Sequence, residues 1–337
     1  MITRRNFIKG SMIATLPLNA FHTWKERPIS PPAFSFDLHC HPGSASTYQD
    51  MKKHKLSSAF VSLVADRPLL KRTETGIIPT RSYQPGEGWK EFETQWQAIK
   101  DLMNEAEVIP ISSYHDLTKT QETHNFAPFI ACEGGDFLED STDYLELAYD
   151  RGVRSVQLVH YAPNALGDLQ TYDPKHHGLS AFGKNVVKKM NDLGMIIDVA
   201  HASFETVKGV VETSTDPIIL SHSLLKRRPF MPISARAITE EHAKLVATHG
   251  GVIGMWPSGL STSIDDFADS TLRLVDMIGI DHVGIGSDMD SNYKPVIKNY
   301  TDFFQWTELL STKGLSDTEI AKIQGGNALR VLQMVLI

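Results

Sequence analysis

The chain has 337 residues, 41% of them hydrophobic, which is enough to bury one large core. Its net charge of −7, with no recurring basic stretch, gives nucleic acid no support as a partner. Two cysteines, Cys40 and Cys132, are too few for a disulfide framework and read as small buried apolar residues.

The N-terminus reads Thr3-Arg4-Arg5-Asn6-Phe7-Ile8-Lys9, followed by a modest apolar stretch. Paired arginines, the Phe two places after them and the following Lys resemble a twin-arginine export signal over residues 1–22. That signal implies the twin-arginine machinery as a partner and the bacterial periplasm as destination; the alternative is an ordinary basic amphipathic start. The apolar stretch is too short to anchor stably in a bilayer. Residues 23–33 are rich in proline and read as a linker. From residue 34 to 337, short β-rich runs alternate with helical patterns, the signature of βαβ units around a parallel sheet. Eight strands are expected at 34–39, 59–64, 129–133, 155–160, 195–199, 218–222, 252–255 and 282–286. The expected fold class is α/β, a single (β/α)8 TIM barrel. Between the fifth pair of elements, Phe182, Val186, Val187 and Met190 share one helical face, with Gly194 to end the helix and Ser180 to cap it. One connection, residues 66–127, is long. Its first half is polar and turn-rich; its second predicts a helix over 89–103 with Trp89, Phe92, Trp96 and Ile99 on one side.

Several of these apolar runs end in groups that hold metals. His39 and His41 are one residue apart, so on a strand both face the same way and can share one divalent ion. Glu133 closes the run from Pro128 to Cys132, where a lone carboxylate is costly unless paired or metal-bound. A carboxylate can bridge two ions, and His201 and His222, at the ends of the fifth and sixth strands, supply ligands for a second. Each histidine alone could be a hydrogen-bonded core residue; their order along the barrel argues for a site. Asp288 follows a glycine-lightened last strand and suits proton transfer from an activated water to a leaving amine. Asp290 competes for that role. His160, after the fourth strand, suits polarising a carbonyl or steadying an oxyanion, or is a structural histidine beside Tyr161.

At this point the chain resembles the membrane (renal-type) dipeptidase family, peptidase family M19 of the amidohydrolase barrels. The resemblance runs from about residue 34 to the C-terminus. It is carried by Ala131-Cys132-Glu133-Gly134-Gly135, by Gly178-Leu179-Ser180-Ala181-Phe182-Gly183 and by Leu193-Gly194-Met195-Ile196-Ile197-Asp198-Val199-Ala200-His201. It continues in Ser221-His222-Ser223, in the segment from Asp281 to Asp290, and in Gly325-Gly326-Asn327-Ala328-Leu329-Arg330-Val331. The resemblance implies two zinc ions bridged by Glu133, with His39 and the residue at 41 on one and His201 with His222 on the other. It further implies His160 against the substrate carbonyl, Asp288 handling the proton, and an arginine after the sixth strand binding the substrate carboxylate. Arg236 matches that segment best, with Arg227 and Arg228 as rivals. The chain departs from the family at His41, where the usual pattern is His-x-Asp. It departs again after His160. The expected activity is hydrolysis of dipeptides or related small amides. A lactonase, deaminase or phosphoesterase, or a non-catalytic metal-binding protein, remains the alternative, and a homodimer is one option for assembly.

Overall fold

The computed structural model describes residues 34–74, 76–227 and 232–336. The expected export signal and linker, and Arg228, lie outside them. Eight strands form one parallel sheet in the order β1 (Phe36–Cys40), β2 (Ser58–Val64), β5 (Phe129–Glu133), β6 (Val153–Gln157), β7 (Ile196–Asp198), β8 (Ile219–Ser223), β9 (Val252–Met255) and β10 (Val283–Ile285). The remaining strands, β3 (Leu70–Thr73) and β4 (Gly76–Pro79), form a separate antiparallel hairpin.

Alternation along the strands sorts side chains into two cores. In β5, Phe129 and Ala131 join the barrel interior with Phe36, Leu38, Phe60, Ile196, Ile219 and Val252. Ile130 and Cys132 of the same strand face outward into the helical layer, as does Cys40. Both cysteines are therefore buried and unpaired, facing away from the histidines. The helix α11 (Asn327–Val335) contributes Val331, Leu332 and Val335 to the interior cluster, so the chain's last helix closes the barrel floor.

The barrel closes between its first and last strands through side chains as much as through backbone. The Asp37 carboxylate accepts from the Ser287 backbone N–H (2.9 Å), the Ser287 hydroxyl and the Tyr300 phenol (2.9 Å). Backbone bonds from Asp288 to His39 (2.8 Å) and from His41 to Met289 (3.0 Å) finish the seam. Gly254 and Gly286 flank the Ser221 carbonyl so closely that a Cβ on either would lie within 1.9 Å of it. Only glycine lets β8, β9 and the end of β10 converge there.

Helix α5 (Ala181–Leu193) follows the expected punctuation: the Ser180 hydroxyl accepts from Gly183 N–H, and Gly194 ends it in the left-handed region at φ 66°. The long connection holds more order than its composition implies. It contains the hairpin, helix α2 (Glu87–Glu105) and helix α3 (Tyr114–Thr123). Gln95 fastens α2 to the barrel: its amide accepts from Val64 N–H (2.9 Å) and donates to Val64 C=O (2.7 Å) at the end of β2. The fourth barrel strand ends at Gln157, three residues before the expected boundary. Asp66 takes the Tyr161 and Ala162 N–H groups (3.0 and 2.8 Å) and draws that segment off the sheet.

Candidate active site

At the carboxyl ends of the strands, five imidazoles converge on one carboxylate. Glu133 Oε1 lies 3.3 Å from His39 Nε2, 3.4 Å from His201 Nε2 and 3.6 Å from His222 Nε2. Its Oε2 lies 3.3 Å from His41 Nε2 and 3.4 Å from His160 Nε2. The histidines pair off, with Nε2–Nε2 distances of 2.9 Å for His39 and His41 and 3.0 Å for His201 and His222. Two triads with the spacing of metal ligands result, His39–His41–Glu133 and Glu133–His201–His222, sharing the glutamate.

The donor chemistry fits divalent ions. Two imidazole nitrogens at 3 Å, both aimed at a carboxylate oxygen, are an arrangement that a cation between them satisfies better than any proton. Burial, with the charges of Arg236 and His160, holds His201 well below the usual histidine range; burial and His39 do the same to His222, so both keep ligand lone pairs. Burial opposes ionisation of Glu133, but His160 and His39 hold it well below the usual carboxylate range. His41 Nδ1 lies 3.0 Å from the Ser62 carbonyl. Donation there fixes the tautomer and leaves Nε2 free to ligate. The histidine standing where the related pattern has aspartate thus belongs to a candidate ligand triad.

Around the triads stand the remaining candidate residues. Asp288 Oδ1 is 3.6 Å from His41 Nε2, and Oδ2 accepts from Trp256 Nε1 at 3.1 Å. Burial raises its pKa, against the pull of His41 and His39. Asp288 and His201 sit in the left-handed backbone region, at φ 52° and 65°, which turns their side chains into the site. Asp290 instead accepts from Gly43 N–H (2.9 Å) and the Thr47 hydroxyl (2.6 Å), tying down the loop after β1.

His160 is held from behind by Asp66, with 2.6 Å between Nδ1 and Oδ1. Burial works against charge on this imidazole, but Asp66 and Glu133 push its pKa up to about 9. Arg236 is fully buried, with Nη2 3.1 Å from His222 Nε2 and Nη1 donating to Gln170 Oε1 at 2.5 Å. Its guanidinium also bonds Tyr161, stands 5.6 Å from the Trp256 ring centre and lines the cavity over the histidines. Its rival Arg227 is engaged elsewhere, with Asp266 (2.5 Å) and Ser270.

Asp66, Gln170 and Trp256 were not anticipated. Asp66 carries the same signal that marks Glu133, an acid directly after the apolar run of β2. Gln170 lies in a loop with no such pattern.

The model of the membrane dipeptidase family, peptidase family M19, matches residues 16–336. The chain belongs to this family. Relatives include the dipeptidase aclJ of Aspergillus oryzae, 30% identical over 246 residues covering 67% of this chain and 56% of that protein. Dipeptidase 3 of Mus musculus is 29% identical, over 67% of this chain and 47% of that protein. The chain thus spans about half the length of the curated relatives it matches. Among solved structures, an amidohydrolase from Pseudomonas aeruginosa superposes with a TM-score of 0.75 at 23% identity, covering 90% of this chain and 96% of that one. A metallo-peptidase from Rhodobacter sphaeroides, solved with a phosphinate mimic of the dipeptide L-Ala-D-Ala, also gives 0.75, at 15% identity and over 90% and 99% of the two chains. These likenesses establish the barrel. Within this membrane dipeptidase family fold, the two triads are the candidate metal positions among the described residues.

Proposed function

We propose that this chain is a binuclear, zinc-dependent dipeptidase of the periplasm. The observation that carries the reading is Glu133, a single buried carboxylate shared by two histidine pairs opposite a buried arginine. His39, His41 and Glu133 would hold one ion, and Glu133, His201 and His222 the other, a donor set suited to zinc. Bound there, such ions would supply Lewis acidity, acidifying a water and polarising the scissile carbonyl.

The chain's own groups supply the rest. Arg236, kept charged in a buried setting by Tyr161 and Glu133, receives the substrate's terminal carboxylate and so limits substrates to short peptides. His160, oriented by Asp66, presents Nε2 to the carbonyl oxygen and donates a hydrogen bond as negative charge grows there. Asp288, whose pKa is raised by burial, takes the proton from the attacking water and returns it to the departing amine. Trp256 holds Asp288 through its indole N–H and leaves Oδ1 directed at the cluster.

The two Arg residues at positions 4 and 5 support export by the twin-arginine route, which carries proteins already folded and metal-loaded. No helix of the described residues is long and apolar enough to cross a membrane.

The deciding experiment is metal analysis of purified protein followed by a panel of dipeptides, lactones and phosphate esters. Release of amino acids from dipeptides is expected, abolished by chelation and by Glu133→Ala or His201→Ala. Full dipeptide turnover by the double variant after chelation defeats the reading, and turnover confined to lactones or esters moves the chain to a different hydrolase class. His41 is the feature that gives that second class its standing.

A further inference from the structure

The cavity over the histidines has a volume of about 1010 Å³. That is at the top of the range of roughly 300–1,000 Å³ typical of small-molecule sites, and generous for a dipeptide. Its surplus lies on one side, where aliphatic side chains outnumber the charged Arg67, Arg72 and Glu74. The β3–β4 hairpin contributes Leu70, Ile77 and Ile78, and α2 contributes Ile99 and Leu102. Thr80 N–H donating to the Leu69 carbonyl (2.8 Å) closes the base of the hairpin, and the Tyr83 hydroxyl on the Ala65 carbonyl (2.6 Å) ties the segment after it to the end of β2. Gln95 pins α2 at the end of β2.

The position of this wall assigns it a role. It rises from the second strand of the barrel, and Arg236 follows β8, the sixth. In a ring of eight, these are opposite sides. A substrate whose carboxylate lies on Arg236 and whose scissile carbonyl lies over Glu133 directs its amino-side residue toward the hairpin. We propose that the hairpin and α2 form the pocket for the amino-side side chain, and that the enzyme prefers dipeptides carrying a bulky aliphatic or aromatic residue there. This rests on the dipeptidase reading.

The test compares Gly-Ala, Leu-Ala, Phe-Ala and Glu-Ala as substrates. In parallel, calorimetry measures the dissociation constants of two phosphinic pseudo-dipeptides with leucine-type and glycine-type amino sides. A preference of about tenfold or more in kcat/KM for Leu-Ala and Phe-Ala over Gly-Ala is expected, with Glu-Ala below Leu-Ala; a preference for Glu-Ala would assign the wall to Arg67 and Arg72 and overturn the apolar pocket. Ile77→Asp should collapse the Leu-to-Gly ratio in both assays, while Ile109→Asp, at a site 79% exposed and absent from the cavity wall, should preserve it. Turnover with no Leu-over-Gly preference, or a preference that survives Ile77→Asp, overturns the pocket alone. Absence of any dipeptide turnover overturns the dipeptidase reading. In that event tighter binding of the leucine-type phosphinate still supports the pocket, and equal or absent binding ends both.

Discussion

Beneath His160 two carboxylates are buried side by side, and their electrostatics set a measurable property of the protein. Asp66 bonds His160, while Asp136, contacted by Asn164 Nδ2 at 3.3 Å, is pushed up to about 8 by burial and by the charge of Asp66. The folded chain therefore keeps the Asp136 proton between about pH 4 and 8, where an unfolded chain has released it. More protons bound in the native state means that stability falls as pH rises through that window and levels off above it. Asp136→Asn should remove this component: its Tm, followed from pH 5 to 9 at constant metal, should decline less than the parent's and exceed it above pH 8. An unchanged slope would show that Asp136 does not carry the proton. A kinetic consequence belongs to Asp66. Asp66→Asn keeps the shape but loses the charge that orients and charges His160, so kcat should drop by about 10²-fold or more while KM for dipeptides changes little. A loss confined to KM would contradict the assignment. The candidate ligands are legible in sequence because each ends an apolar run, and Asp288 stands out from Asp290 because it directly ends the last strand. Asp66 follows the same rule but resembles any acid opening a loop, and nothing marks Gln170. The left-handed turns at Asp288 and Asp290 leave no mark in strand periodicity.

At the scale of elements, the eight barrel strands were legible because runs such as Phe129-Ile130-Ala131-Cys132 are apolar on both faces, as buried parallel strands must be. The hairpin was not. Each of its strands has four residues, and Lys71 and Arg72 interrupt any apolar alternation. Such a hairpin depends on tertiary support, which local sequence does not display. The neighbouring helix α2 has a support of this kind in Gln95, whose amide pairs with both backbone groups of Val64 at the end of β2. Gln95→Ala should cost about 1–3 kcal/mol in urea unfolding, because it strips partners from two half-buried backbone groups. Gln97→Ala, which loses only an exposed bond to Asp101, should stay within about 0.5 kcal/mol. Equal effects would mean that α2 is held by its aromatic face alone. That face is substantial: Trp89, Phe92 and Phe137 stack in sequence, with Arg151 over Trp89.

Across the whole molecule, the proposed metal site and the barrel's stability are one problem. The ligands come from β1, β5 and β8 and from the loop after β7, so ions held among them would cross-link elements far apart in sequence. The cluster they form packs five imidazoles around one buried carboxylate. Anything that binds the native state alone stabilises it by about 2.7 kcal/mol at a hundredfold excess over Kd. For a domain of about 300 residues each kcal/mol shifts Tm by roughly 1.5 °C. Chelation should therefore lower Tm by several degrees, and zinc should restore it. Glu133→Ala separates the shared bridge from the individual ligands. Because Glu133 belongs to both triads, its loss should reduce bound metal toward zero, whereas His222→Ala, which touches one triad, should leave about one ion per chain. Elemental analysis of the two purified variants checks this directly. Equal stoichiometry in both would mean that the two histidine pairs hold their ions independently and that Glu133 is a counter-charge, not a bridge.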